Sequence, residues 1–171
     1  MLVDCGLFQG FKSLRLRNWA EFPIEPSKID KVLLTHAHLD HSGYVPALVK
    51  NGFQGEILMT PGTFQLCKIM WADSAYLLQE EADRANQKGY SKHEPALPLY
   101  EVTDVEKALS QVKVVDFNTR TQIAKEITAS FKHAGHILGA SQLMLEVNGT
   151  RILFSGDLGR SSDALMKPAD G

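Results

Sequence analysis

The stretch Thr35-His36-Ala37-His38-Leu39-Asp40-His41 holds three imidazoles and a carboxylate within seven residues. It follows Val32-Leu33-Leu34, an apolar run preceded by the polar pair Asp30-Lys31, so the cluster sits at the end of a short strand. Side chains two apart on an extended chain point the same way, which lets His36 and His38 aim at one point. As the chain turns, Asp40 and His41 can aim a carboxylate and a third imidazole at a second point nearby. Neutral imidazole with carboxylate is the donor set of zinc, and of iron or manganese in related chemistry. Surface histidines rarely gather at this density, so the motif reads as a metal centre.

Two further positions would complete it. His136 lies in Ala134-Gly135-His136-Ile137-Leu138-Gly139, where the glycines let the backbone turn sharply and approach other groups closely. Taken alone it would be an ordinary loop histidine. Asp157 lies in Phe154-Ser155-Gly156-Asp157-Leu158-Gly159, and layered folds build sites where strands deliver such residues to their ends. Taken alone it would be the acid of an Asx turn. His133 is assigned to a surface or edge position, and His93, in a charged loop, has no role. Cys5 and Cys67 read as strand and helix packing. Lys12, Arg15 and Arg17, with Phe8, Phe11 and Trp19, form a small basic and aromatic segment. It could touch phosphate, but a solvated loop is the simpler account.

The elements that must position these groups are legible in outline. Val32 to Leu34 is expected to be a strand buried on both faces, as in layered α/β proteins. Glu56 to Met59 repeats the pattern and ends at the turn signal Pro61-Gly62. A helix is expected from Thr63 to about Lys88, with a stop at Gly89. Its apolar face would carry Leu66, Cys67, Met70, Leu77 and Leu78, with Asp73 and Ser74 interrupting the stripe. Thr103-Asp104-Val105-Glu106 spells a capping box for a short helix through about Ser110. Gln111 to Phe117 and Ile127 to Lys132 are strand candidates. Asn148-Gly149, between two β-rich runs from Leu143 to Phe154, predicts a type I′ hairpin. The fold class is α/β or α+β, with a largely mixed sheet.

Composition sets the outer limits. The chain has 171 residues, 44% of them hydrophobic and 22% charged, which suits a folded domain and not a disordered tail. No apolar run approaches the roughly 18 residues of a membrane-spanning helix, and no signal peptide opens the chain. Eighteen Lys and Arg against 20 Asp and Glu give a net charge of −2, so no global basic field advertises nucleic acid. Two cysteines cannot build a disulfide framework; they read as reduced thiols of a cytoplasmic protein. The chain opens on what looks like the second half of a strand and stops in the polar Lys167-Pro168-Ala169-Asp170-Gly171. A parent continuing at both ends is the expectation.

Thr35 to His41 resembles the HxHxDH signature of the metallo-β-lactamase fold, a four-layered αβ/βα sandwich with metals at the sheet edge. The stretches DCGLFQG, HLDHSGYVPALVKNGFQG, PLY (Pro98 to Tyr100), AGHILGAS and FSGDLGR are together similar to the β-CASP subgroup of RNA-processing nucleases. The resemblance runs from Leu2 to about Arg160. It implies a first ion on His36, His38 and His136, and a second on Asp40 and His41, with Asp157 bridging. Asp4 would brace the ligand loops without binding metal. It further implies two-zinc hydrolysis of RNA phosphodiesters, with manganese or iron as alternatives. Asp40 would orient or deprotonate the water. The resemblance leaves open an endonuclease or a 5′ exonuclease.

By the same resemblance, residues 1–171 would be a partial domain. The first strand, the β-CASP insertion and the C-terminal part, with its last metal-binding histidine and the histidines that protonate the leaving oxygen, would lie outside it. The polypeptide alone is then expected to be weakly active or inactive, to bind a second ion poorly, and to expose apolar surface through which a homodimer could form. Two other functions compete. One is a hydrolase of the same fold acting on a lactone or thioester; the other is a non-catalytic partner subunit.

Overall fold

A computed structural model describes residues 1–91 and 93–171. The short apolar runs pair into a four-stranded sheet in the order β1 (Leu2–Val3), β2 (Lys31–Leu33), β3 (Glu56–Met59) and β4 (Val112–Val114), all parallel. Parallel neighbours need crossover connections. The first, carrying α1 (Lys12–Arg15), joins β1 to β2. The second carries α2 (Leu39–Ser42) and α3 (Val45–Lys50), and the third α4 (Pro61–Lys88) and α5 (Val102–Ser110). The rest of the chain forms an antiparallel meander of β5 (Thr121–Ala124), β6 (Ile127–His133), β7 (Ser141–Val147) and β8 (Thr150–Phe154). The expected mixing of strand directions is thus segregated into one parallel and one antiparallel sheet.

Successive side chains of β2 leave on opposite faces, and both faces are covered. Val32 and Leu34 join Ile57 and Met59 against the helices, with Leu48, Trp71 and Val105. Leu33 turns the other way, joining Leu58, Phe131, Leu143 and Leu145 between the sheets. Each such fully buried side chain contributes about 1.5–3 kcal/mol. No helical residue belongs to this second core, and every residue of β8 is exposed. The described residues therefore supply three layers: helices, parallel sheet and antiparallel sheet. Among them no helix is long and apolar enough to cross a membrane.

The local signals resolve mostly as expected. Asn148 and Gly149 take φ of 50° and 80°, the left-handed pair a type I′ turn requires. α4 is capped by Thr60, whose hydroxyl accepts from the Thr63 amide, with Pro61 in the first turn. Gly89 ends it at φ 61°. Two details differ. α5 begins at Val102 with Glu101 as its cap, and the Asp104 carboxylate accepts from the Glu101 amide at 3.1 Å; the box lies two residues upstream of the expected one. The most buried stripe of α4 runs through Thr63, Cys67, Trp71, Ser74 and Ala75; the expected Leu66, Met70 and Leu78 pack on the core beside it, while Leu77 is exposed. Small residues there let the helix approach its neighbours closely. Ser74 is no interruption, because its hydroxyl accepts from Tyr100 Oη at 2.8 Å. The edge strand β5, with one buried residue, carried no apolar pattern to announce it.

Candidate metal centre

Four loops at the strand ends converge. His36 leaves the end of β2, His38 caps the N-terminus of α2, and Asp40 and His41 lie in that single turn of helix. His136 comes from the β6–β7 loop and Asp157 from the segment after β8. His36 Nε2 lies 3.1 Å from His38 Nδ1, which lies 3.2 Å from His136 Nε2. Asp157 Oδ2 is 3.6 Å from His136 Nε2 and 3.9 Å from His36 Nε2. The ligand atoms of these four residues all fall within 4.8 Å of one another. Zinc–nitrogen bonds of about 2.0–2.1 Å place tetrahedral ligands about 3.3 Å apart, so this quartet has the dimensions to hold one ion.

The second carboxylate oxygen of Asp157 faces elsewhere. Its Oδ1 is 3.4 Å from His41 Nε2, which is 3.9 Å from Asp40 Oδ2. One carboxylate thus presents an oxygen to each of two donor groups. All six expected ligands are brought together. His133 is not; its ring stacks on Phe117 at 3.7 Å. His93 lies in an exposed loop, and Cys5 and Cys67 are buried in the helical-side core.

Electrostatics keep His36 ready to ligate. Burial, reinforced by the neighbouring His41 and His38, pushes its pKa down to about 4, so the ring is neutral at pH 7 and keeps a lone pair. Thr35 Oγ1 lies 3.0 Å from His36 Nδ1; a proton on Nδ1 leaves Nε2 free to face Asp157.

Asp4 sits beneath the turn. Its Oδ1 accepts from the Thr35 amide at 2.8 Å, and its Oδ2 from Thr35 Oγ1 at 2.8 Å. His41 Nδ1 is also 2.8 Å from Oδ2. A carboxylate offers acceptors only, so His41 carries a proton on Nδ1, and Nε2 is the ring atom left to face Asp157. Asp4 does this at φ 57°, a left-handed conformation uncommon outside glycine and found where surroundings over-determine it. The next residues wrap the turn: Cys5 and Leu7 amides donate to His41 and Leu39 carbonyls at 2.7 and 2.8 Å. A Cβ on Gly6 would meet the Asp40 carbonyl oxygen at 1.7 Å, so this approach needs glycine.

Residues outside the motif hold it in place. Ser42 Oγ donates to the Ala37 carbonyl at 2.8 Å and accepts from Trp71 Nε1 at 3.1 Å, tying both ends of the ligand loop to α4. Ser141 donates twice to the Thr35 carbonyl, from its amide at 2.9 Å and its hydroxyl at 2.8 Å. The Thr63 hydroxyl donates to the Gly139 carbonyl at 3.0 Å and anchors the His136 loop. Sequence reasoning missed these groups. Ser42 adjoins the motif and Trp71 follows Cys67 by one helical turn, but single polar residues carry no pattern.

This fold and this donor cluster define a class. The sequence model of the metallo-β-lactamase superfamily matches residues 1–169, and the chain belongs to that superfamily, whose chemistry together with the histidine and aspartate group points to metal dependence. Among individual relatives, it is 32% identical over 170 residues to Ribonuclease TTHA0252 of Thermus thermophilus, covering 99% of this chain and 35% of the relative. It is 29% identical to cleavage and polyadenylation specificity factor subunit 3-I of Arabidopsis thaliana, covering 99% of this chain and 22% of that one. With Endoribonuclease ysh1 of Aspergillus fumigatus the identity is 31%, over 99% of this chain and 18% of the relative. The chain spans about a third of the first relative's length and less than a quarter of the other two. A solved Cronobacter sakazakii metallo-β-lactamase with a HARLDQ motif shares the fold, with a TM-score of 0.52 at 15% identity, over 96% of this chain and 51% of that one.

Proposed function

We propose that the chain is part of the catalytic domain of a β-CASP ribonuclease, a metal-dependent phosphodiesterase that processes RNA. The observation that carries the reading is Asp157, which turns one oxygen toward His36 and His136 and the other toward His41. The ribonucleases among its relatives select RNA over a lactone or thioester, and retention of all six donors argues against a non-catalytic subunit. His36, His38 and His136 would hold one zinc ion and Asp40 and His41 a second, with Asp157 shared; manganese or iron would suit the same donors. Such a pair would supply an acidified water and positive charge to offset the negative charge building on the phosphate oxygens. Asp40 would orient that water and take its proton as the water oxygen bonds to phosphorus and the bond to the leaving oxygen breaks, the leaving oxygen taking a proton from a group outside these residues. Asp4 holds a His41 proton on Nδ1, which leaves Nε2 as the atom that faces Asp157.

The unpaired buried thiols Cys5 and Cys67 support a cytoplasmic setting. The exposed Ile152, Leu153 and Phe154 of β8 support self-association into a homodimer, which sedimentation over a range of concentrations tests. Residues 1–171, a partial domain on this reading, should bind one zinc ion tightly and a second weakly, and cleave labelled single-stranded RNA slowly. His36→Ala should abolish both binding and cleavage. Folded protein that takes up no transition metal would refute the metal assignment; two tightly bound ions with rapid cleavage would refute the partial domain.

A further inference from the structure

The crossover between β1 and β2 passes beside the metal centre and carries the basic and aromatic segment. From Gly6 to Ala20 it has three cationic residues and no acidic one, in a chain of net charge −2. It is anchored at both ends. Leu7 packs on the helical-side core and its amide donates to the Leu39 carbonyl, next to Asp40. Phe22 packs on the same core and stacks on Tyr44 at 5.6 Å. Between these anchors the Asn18 side chain clamps Phe8, accepting from its amide at 2.8 Å and donating to its carbonyl at 2.9 Å. Arg17 lies over the Phe8 ring at 4.6 Å. The loop therefore has a fixed shape, yet it leaves Phe11 82% and Trp19 56% exposed. A merely solvated loop would have no reason to hold large aromatic rings in water beside clustered cations.

We propose that this segment is a platform for single-stranded RNA, on which unpaired bases stack on Phe8, Phe11 and Trp19 while Lys12, Arg15 and Arg17 meet the phosphates. Every base has a face that can stack, and cations track the backbone, so aromatic and cationic side chains interleaved this way bind single strands with little sequence preference. Phe8 follows Leu7 directly, and Leu7 is bonded to the residue before Asp40. The inner end of the platform is thus anchored beside the helical turn that carries Asp40 and His41. The inference rests on the ribonuclease reading and names the residues that would deliver its substrate.

The test is binding of a fluorescein-labelled oligouridylate to the full chain, metal-free in chelator so that binding is read apart from cleavage. Trp71 is fully buried, so quenching of tryptophan emission on titration reports Trp19, and Trp19→Phe should remove the signal while keeping the affinity. Phe11→Ala and Trp19→Ala should each weaken binding about tenfold. Arg15→Glu with Arg17→Glu should weaken it further and flatten the dependence of log K on log salt by about 1.4, for two lost phosphate contacts. Duplex RNA, whose bases cannot stack, should bind more weakly. All these positions are exposed, so zinc uptake should be unchanged in each variant. Failure to bind the oligonucleotide, or binding that aromatic variants leave intact and heparin reproduces, would overturn the platform. Cleavage that proceeds equally in all variants would overturn it with the ribonuclease reading intact. Aromatic-dependent binding without cleavage in any longer form of the protein would sustain the platform and sink the ribonuclease reading instead.

Discussion

Asp4→Asn isolates one atom of the argument. Asparagine has the size of aspartate and tolerates a left-handed backbone, so φ 57° at this position is no obstacle. Its carbonyl oxygen can still accept from the Thr35 amide, which lies 2.8 Å from Oδ1. Its amide nitrogen, in place of Oδ2, now donates to Thr35 Oγ1, which can accept from it and from His36 Nδ1 together. His41 has no such freedom. Its Nδ1 sits 2.8 Å from that position and must turn from donor to acceptor, which moves the proton to Nε2, the nitrogen facing Asp157. The variant keeps the contact but exchanges a hydrogen bond to a charged acceptor for a neutral one, at a cost of about 1 kcal/mol of stability. It should also lose about 10–100-fold in affinity for a second ion, the usual cost of removing the partner that orients a ligand. The ion that His36, His38 and His136 would hold should bind as before. Long-range proton–nitrogen correlation spectra of metal-free protein read the tautomer directly. If His41 keeps its proton on Nδ1 in the variant, the reasoning is wrong.

Three further outcomes are expected. Gly6→Ala places a methyl 1.7 Å from the Asp40 carbonyl oxygen; the backbones must part, costing about 1–3 kcal/mol or more, and an unshifted urea midpoint would contradict the close packing. Ser74→Ala strips the buried Tyr100 hydroxyl of its acceptor and should cost about 1–3 kcal/mol, most of it recovered when Tyr100→Phe is added, as a double-mutant cycle would show. Burial pushes the thiols of Cys5 and Cys67 up to about 12, so the folded chain holds their protons where the unfolded chain, near 9, releases them. Stability is complete below pH 9 and falls toward pH 12, by about 1.4 kcal/mol per pH unit for each thiol. Both should resist alkylation at pH 8 until the protein is unfolded.

The donor cluster was legible because its signal is local: four potential ligands in seven residues, and two more delivered by strands with recognisable ends. The parallel core was legible for a similar reason, since a strand buried on both faces has no polar alternation to disguise it. Boundaries and faces were less so. The cap of α5 escaped because Thr103 offered a conventional pattern, while the two acids Glu101 and Asp104 formed the box instead. The face expected for α4 holds at Leu66, Cys67, Met70 and Leu78, which pack on the core, and fails at Leu77, which is exposed, because the most buried positions also include Thr63, Trp71, Ser74 and Ala75, small or polar residues apart from the tryptophan. Segregation into two sheets follows from long-range pairing, which no local run encodes.

The unforeseen bonds explain why the six donors meet at all. His36, His38, Asp40 and His41 belong to the parallel sheet, and His136 and Asp157 to the antiparallel one. Nothing in either sheet alone fixes the distance between the two sets. That distance is set where Ser141 donates twice to the Thr35 carbonyl, while the Gly159 amide, donating to the Ala134 carbonyl at 2.9 Å, ties the Asp157 segment to the His136 loop. A Cβ on Gly159 would lie 1.6 Å from the Gly135 carbonyl oxygen, so the two antiparallel-sheet loops are pressed together as one unit. Ions binding across this seam would tie both sheets at their shared edge. Because the unfolded chain has no such arrangement, their binding energy adds to folding energy. The same seam holds the His136 ring 3.2 Å from His38 Nδ1, so the ordering of donors from the two sheets is met by the fold rather than by an ion when it arrives.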